Sequence, residues 1–222
     1  QENRADEINT CIACNQACLD HVFQRKISTC LVNPRACNET ELNYLPTKAP
    51  KRIAVVGAGP AGLAASTIAA QRGHKVTLFD AAAEIGGQFN MAKRIPGKEE
   101  FDGLVDWYAA SLAASGVALR LGRIAGVEML AGFDEIVIAT GVSPRDPGIP
   151  GQDRANVLGY RDVLLGNAKV GARVAIIGAG GIGFDVAEYL VHEGESLTED
   201  LDAWRAEWGV GDPALERGGL RP

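Results

Sequence analysis

Two glycine runs constrain this chain more than any other feature. Gly57-Ala58-Gly59-Pro60-Ala61-Gly62 and Gly178-Ala179-Gly180-Gly181-Ile182-Gly183 both have the form G-x-G-x-x-G. Each follows a short apolar run, Arg52 to Val56 and Arg173 to Ile177, that reads as a buried parallel strand. Each leads into a stretch that reads as a helix, Ala61 to Arg72 and Ile182 to Val191. A strand that turns sharply into a helix at glycines sets a phosphate against the helix N-terminus. In the first run Gly57 permits the tight turn, Gly59 lets the backbone approach a pyrophosphate, and Gly62 allows close helix–strand packing. The expected fold class is α/β, with a Rossmann-like parallel sheet.

The neighbouring segments support that reading. Lys75 to Phe79 is a second strand ending in Asp80, where a carboxylate accepts hydrogen bonds from an adenosine ribose. Glu99 to Ser115 has helical spacing, with Phe101, Leu104, Val105, Tyr108 and Leu112 on one face. Val117 to Leu121 and Glu135 to Thr140 are further strands. Two features favour FAD over NAD at the first loop. Glu84-Ile85-Gly86-Gly87-Gln88 places a glycine pair after the second strand, and Ala139-Thr140-Gly141 resembles the second signature of flavoproteins with two dinucleotide domains. The second glycine loop follows that signature, at the place where such flavoproteins insert their nicotinamide domain. Residues 51–146 are therefore expected to form an FAD-binding domain. Residues 170–222 are expected to be an incomplete start of an NAD(P)H-binding domain, because Glu193 to Pro222 is polar and acidic and shows no second strand.

The third feature is a cysteine segment, residues 1–44, set off by Pro46 and Pro50. All 5 cysteines of the chain fall within it. Cys11, Cys14, Cys18 and Cys30 have the spacing C-x2-C-x3-C-x11-C, and Cys37 stands apart as a free or packing thiol. Four soft thiolates suit an iron–sulfur cluster or zinc. The spacing differs from the common ferredoxin runs and from paired zinc-ribbon motifs. A redox dithiol at Cys11 and Cys14 is a further alternative.

Several function classes are disfavoured. The formal net charge is −6 with no basic patch, which argues against nucleic acid. No apolar run reaches the roughly 18 residues of a membrane span. The polar start, Gln1 to Asn9, lacks the apolar centre of a signal peptide, and clustered cysteines without one point to a reducing cytoplasm.

Longer stretches resemble the bacterial NADPH-dependent 2,4-dienoyl-CoA reductases, iron–sulfur flavoenzymes related to trimethylamine dehydrogenase and enoate reductase. The stretches are Cys11 to Cys18, Cys30 to Cys37, Gly86 to Phe89, Ile95 to Phe101 and Gly180 to Asp185. The resemblance implies an oxidoreductase in unsaturated fatty acid β-oxidation. Electrons would pass from NADPH through FAD and a [4Fe–4S] cluster to FMN in a TIM barrel, which reduces the enoyl-type acyl-CoA. This chain starts at the cluster, so the resemblance implies that the barrel, its FMN and the catalytic residues lie outside it. Carried over, the cluster ligands are Cys11, Cys14, Cys18 and Cys30. FAD is held by Gly57 to Gly62, Asp80, Gly87, Gln88, Thr140 and Gly141, with Lys98 a candidate cation for its phosphates and Ala125 a backbone contact for adenine. Gly178, Gly180 and Gly183 serve the nicotinamide nucleotide. The competing readings are a stand-alone FAD and iron–sulfur electron-transfer module, a related enoate reductase or amine dehydrogenase, and a zinc-stapled binding protein.

Overall fold

The computed structural model describes residues 4–220 of the chain. The first three residues of the cysteine segment and the last two of the second glycine-loop segment lie outside them. The chain divides into two compact units. One comprises Gln1–Ala92 with Glu100–Ile149, the other Lys93–Glu99 with Pro150–Pro222.

The first unit begins with the cysteine segment, which carries a 3-10 turn (Ala5–Glu7) and the short helix α1 (Leu19–Phe23). Next come β1 (Arg52–Val56), α2 (Pro60–Gln71), β2 (Lys75–Phe79), α3 (Phe89–Ala92), α4 (Glu100–Ser115), β3 (Ala118–Arg120), α5 (Val127–Leu130) and β4 (Glu135–Ile138). The strands form one parallel sheet in the order β3-β2-β1-β4. Val55 sits between Leu78 on one side and Val137 on the other. Parallel neighbours require crossover connections, and α2 and α4 supply them. The expected α/β class and parallel sheet are thus present, and the strands agree with expectation to within two residues at their ends.

The core of this unit is the packing of β1 and β2 against α2 and α4. Leu63, Leu78, Leu104 and Leu112 are fully buried, and Val55 is 0% exposed between them. Four of the five residues expected on the apolar face of α4 are buried, and Phe101 packs at the margin. The cysteine segment joins the same core through Ile12 and Val32. The indole N–H of Trp107 donates to the Glu7 carbonyl at 3.1 Å, tying the start of that segment to α4. At the edge, β4 leaves Ile136, Val137 and Ile138 exposed.

The second unit contains α6 (Tyr160–Leu164), α7 (Gly181–Val191) and α8 (Leu201–Glu207). Arg173 to Ile177, expected as a strand, is irregular here, with Val174, Ile176 and Ile177 exposed. A strand exists only when a neighbour takes its backbone hydrogen bonds, and no strand of this unit lies among the described residues to do so. After α7 no strand lies among the described residues. It makes the Asp200-capped helix α8 and one isolated antiparallel bridge, Val210 with Leu220. No helix among the described residues is long and apolar enough to cross a membrane.

Candidate dinucleotide and thiolate sites

The first glycine loop joins β1 to α2 at the C-terminal edge of the sheet. Gly57 has φ +110°, and a Cβ there would lie 2.2 Å from the Ala139 carbonyl oxygen. A Cβ on Gly62 would lie 1.7 Å from the Gly57 oxygen. These two glycines are therefore demanded by the fold itself. Gly59 differs: its nearest neighbour would be the Gly87 Cα at 4.0 Å. The backbone at Gly59 faces open space before the first turn of α2, whose N–H groups have no intrahelical acceptor. Pro60 occupies the first helical position, where its missing N–H costs nothing. Ala58 is fully buried and Ala61 is exposed beside it.

Other segments close around this loop. Gly86 N–H donates to the Ala58 carbonyl at 2.8 Å, and a Cβ on Gly87 would lie 2.8 Å from the Gly59 Cα. The Asp80 carboxylate accepts from Ala58 N–H at 2.5 Å and from Ala82 N–H at 2.7 Å. Gln88 donates to the Val142 carbonyl at 3.3 Å, which brings it to the Ala139-Thr140-Gly141 turn behind Gly57. The Asp80 carbonyl accepts from Arg123 N–H at 2.9 Å, which sets the loop bearing half-buried Ala125 beside β2. Gly86 belongs to the expected glycine pair, whereas Asn90 is a residue the sequence reading did not single out. Gly86 has φ +113°, and a Cβ there would collide with Asn90, whose amide caps the Ile85 carbonyl at 2.9 Å. Lys98 belongs to the second unit, where its ammonium lies 2.6 Å from Asp185.

The second glycine loop repeats the backbone of the first. Gly178 has φ +115° where Gly57 has +110°. The helix caps Gly180 (φ −88°, ψ −178°) and Gly59 (φ −77°, ψ −179°) match. A Cβ on Gly183 would lie 2.1 Å from the Gly178 oxygen, as for Gly62 and Gly57, while nothing lies within 4 Å of a Cβ on Gly180 or Gly181.

In the cysteine segment all five thiols are free. Ala13 (φ +53°) and Asn15 (φ +55°) bend the backbone between the first three cysteines. Ala13 N–H donates to the Cys11 sulfur at 3.3 Å. Cys18 caps α1. The return segment is fastened beside it, since Thr29 N–H donates to Ala17 O at 2.7 Å and Ser28 Oγ donates to Cys18 O at 3.3 Å. Cys30 follows directly. Among the described residues no three His, Cys, Asp or Glu side chains converge on a point that a single metal ion would occupy.

A parallel sheet with a glycine turn at its C-terminal edge, and a second turn of the same geometry, define a dinucleotide-binding protein. The comparisons with known proteins agree. The sequence pattern of the pyridine nucleotide-disulphide oxidoreductases matches residues 51–203, and the chain belongs to that family. The domain implies FAD and NAD(P)H as cofactors, and a Cβ on Gly59 or Gly180 would meet nothing closer than 4.0 Å, so a phosphate can approach either backbone. The chain is 39% identical over 202 residues to a metal reductase of Desulforamulus reducens, covering 88% of this chain and 30% of that protein. It is 38% identical over 208 residues to an NADH oxidase of Thermoanaerobacter brockii, covering 89% and 32%. A solved 2-naphthoyl-CoA reductase complexed with 2-naphthoyl-CoA superposes with a TM-score of 0.81 at 37% identity, over 85% of this chain and 29% of that one. The chain thus spans about a third or less of the length of these relatives.

Proposed function

We propose that this chain is the electron-entry part of a flavin-dependent reductase acting on 2,4-dienoyl-CoA. In this reading the first loop (Gly57 to Gly62, with Asp80, Gly87, Gln88, Ala125, Thr140 and Gly141) holds FAD. The second (Gly178, Gly180, Gly183) holds NADPH, and Cys11, Cys14, Cys18 and Cys30 hold a [4Fe–4S] cluster. The acceptor would be FMN in a barrel domain that binds the acyl-CoA, and the compartment a reducing cytoplasm. The observation that carries the reading is the pair of equivalent glycine loops in one chain with an all-thiolate segment packed on the first unit's core.

When bound, a nicotinamide supplies a hydride, a flavin divides that electron pair, and an iron–sulfur cluster carries one electron at a time. The residues of this chain bind and orient. The N-terminus of α2 and the Gly59 backbone receive a pyrophosphate, and Asp80 stands where a ribose hydroxyl would donate. The amide of Ala13 donates to the Cys11 sulfur and so orients it. The thioester substrate is supported by the likeness to the naphthoyl-CoA reductase and by the Ile95 to Phe101 stretch.

The test uses the complete polypeptide that the gene encodes, purified without oxygen. NADPH-dependent loss of the dienoyl chromophore is expected. Oxidation of a secondary amine with no dienoyl turnover would favour an amine dehydrogenase instead. NADH consumption by oxygen alone would reject the reductase reading.

A further inference from the structure

The connection between α3 and α4, residues 93–99, is built into the second unit. Ile95 is 3% exposed and joins Val163, Leu164 and Val186 as the buried apolar residues of that unit. Ile95 to Lys98 forms a turn closed by Lys98 N–H to Ile95 O at 3.0 Å, with Pro96 and Gly97 (φ +81°) at its centre. Proline followed by a glycine of positive φ is the type II arrangement, in which the proline ring fixes φ at the first central position. Three side chains of this connection reach three parts of the unit. Arg94 donates to the Leu164 carbonyl at the end of α6, at 2.7 Å. Lys98 pairs with Asp185 on α7 at 2.6 Å, both side chains being about one-third exposed. Glu99 accepts from the Thr198 hydroxyl at 2.6 Å, beyond the end of α7. Burial works to raise the Glu99 pKa, but hydrogen bonds from Ser196, Thr198 and the backbone at Glu99 and Gly97 outweigh it and hold the group below its ordinary value.

Gly180 caps α7 and Asp185 lies in its second turn, so the ion pair ties the turn at 95–98 to the helix that opens from the second glycine loop. We propose that residues 93–99 orient the second glycine loop, and that Lys98 is a positioning residue for the nicotinamide nucleotide, acting through Asp185, and not a ligand of the FAD phosphates. The proposal rests on the reading of the second loop given above.

Lys98→Met, Asp185→Asn, the double variant and the exchanged pair Lys98→Asp/Asp185→Lys would be made in the complete polypeptide. Bound FAD would be measured after denaturing release, and NADPH affinity by titration. Each single variant should keep full FAD and bind NADPH about three- to tenfold more weakly, as for a partly shielded ion pair that sets a helix. The double variant should lose no more than either single, and the exchanged pair should regain affinity. Loss of FAD in Lys98→Met but not in Asp185→Asn would overturn the proposal, as would unchanged NADPH affinity in both singles. A wild-type protein that binds no nicotinamide nucleotide would instead overturn the reading of the second loop, and this proposal with it.

Discussion

The Asp80 carboxylate accepts the backbone N–H of Ala58 at 2.5 Å, so the acidic residue that follows β2 holds the glycine loop in place. Its other oxygen takes Ala82 N–H at 2.7 Å. Asp80→Ala removes both acceptors and any bond to a ribose. The expected loss is about 1.5–3 kcal/mol of FAD affinity, as for charge-assisted hydrogen bonds. Calorimetric titration of FAD into the apoprotein measures it. A change below a threefold difference in dissociation constant would remove Asp80 from the site.

The glycines of the first loop should separate into two kinds. Gly57→Ala and Gly62→Ala drive a Cβ to 2.2 Å and 1.7 Å from backbone oxygens, and both should cost more than ~3 kcal/mol of stability. Gly59→Ala meets nothing closer than 4.0 Å at an ordinary φ of −77° and should cost less than ~1 kcal/mol. It should nevertheless abolish FAD retention, because the pyrophosphate must approach that backbone. Urea unfolding and FAD release, measured on the same preparations, separate the two effects. Gly181→Ala should leave FAD in place, and an FAD-free Gly181→Ala protein would reverse the assignment of the loops.

The four named thiolates should bind about four iron and four sulfide per chain on anaerobic reconstitution. Cys30→Ser should lower the iron content. Cys37→Ser should not, since Cys37 stands outside the C-x2-C-x3-C-x11-C spacing. Metal and sulfide analysis decides it, and one zinc per chain with no visible absorbance would support the zinc-stapled alternative.

At the sheet's N-terminal edge the pH dependence has a definite sign. The N–H of Arg52, then its guanidinium, hold the Asp134 carboxyl below its ordinary value of 3.8. A carboxylate with a depressed folded pKa stabilises above the unfolded value, and that contribution is lost as pH falls through the folded one. Asp134→Ala should therefore lower the urea midpoint at pH 7, and the gap from wild type should close below about pH 4. The neighbouring Lys51 has its pKa raised by Glu135, so its contribution holds below 10.5 and is lost only at higher pH. A gap that widened on acidification would contradict this account.

Most of the first unit was legible because its signals are local. The apolar runs at 52–56 and 75–79, the glycines between them and the apolar face of α4 each encode their own conformation within a few residues. The short helices α3, α5, α6 and α8 had no such signal, being only 4, 4, 5 and 7 residues long. Tertiary packing decides segments of that length, since isolated short helices are marginal.

Sequence alone determined the glycine turns and the thiolate spacing, because backbone sterics and ligand chemistry act over short stretches of chain. Only the tertiary structure decided that Arg173 to Ile177 stays irregular among the described residues, since a strand is a property of two segments and not of one. It also decided the partner of Lys98. That residue and Asp185 are 87 positions apart, and no local pattern encodes an ion pair that only the folded unit brings to 2.6 Å.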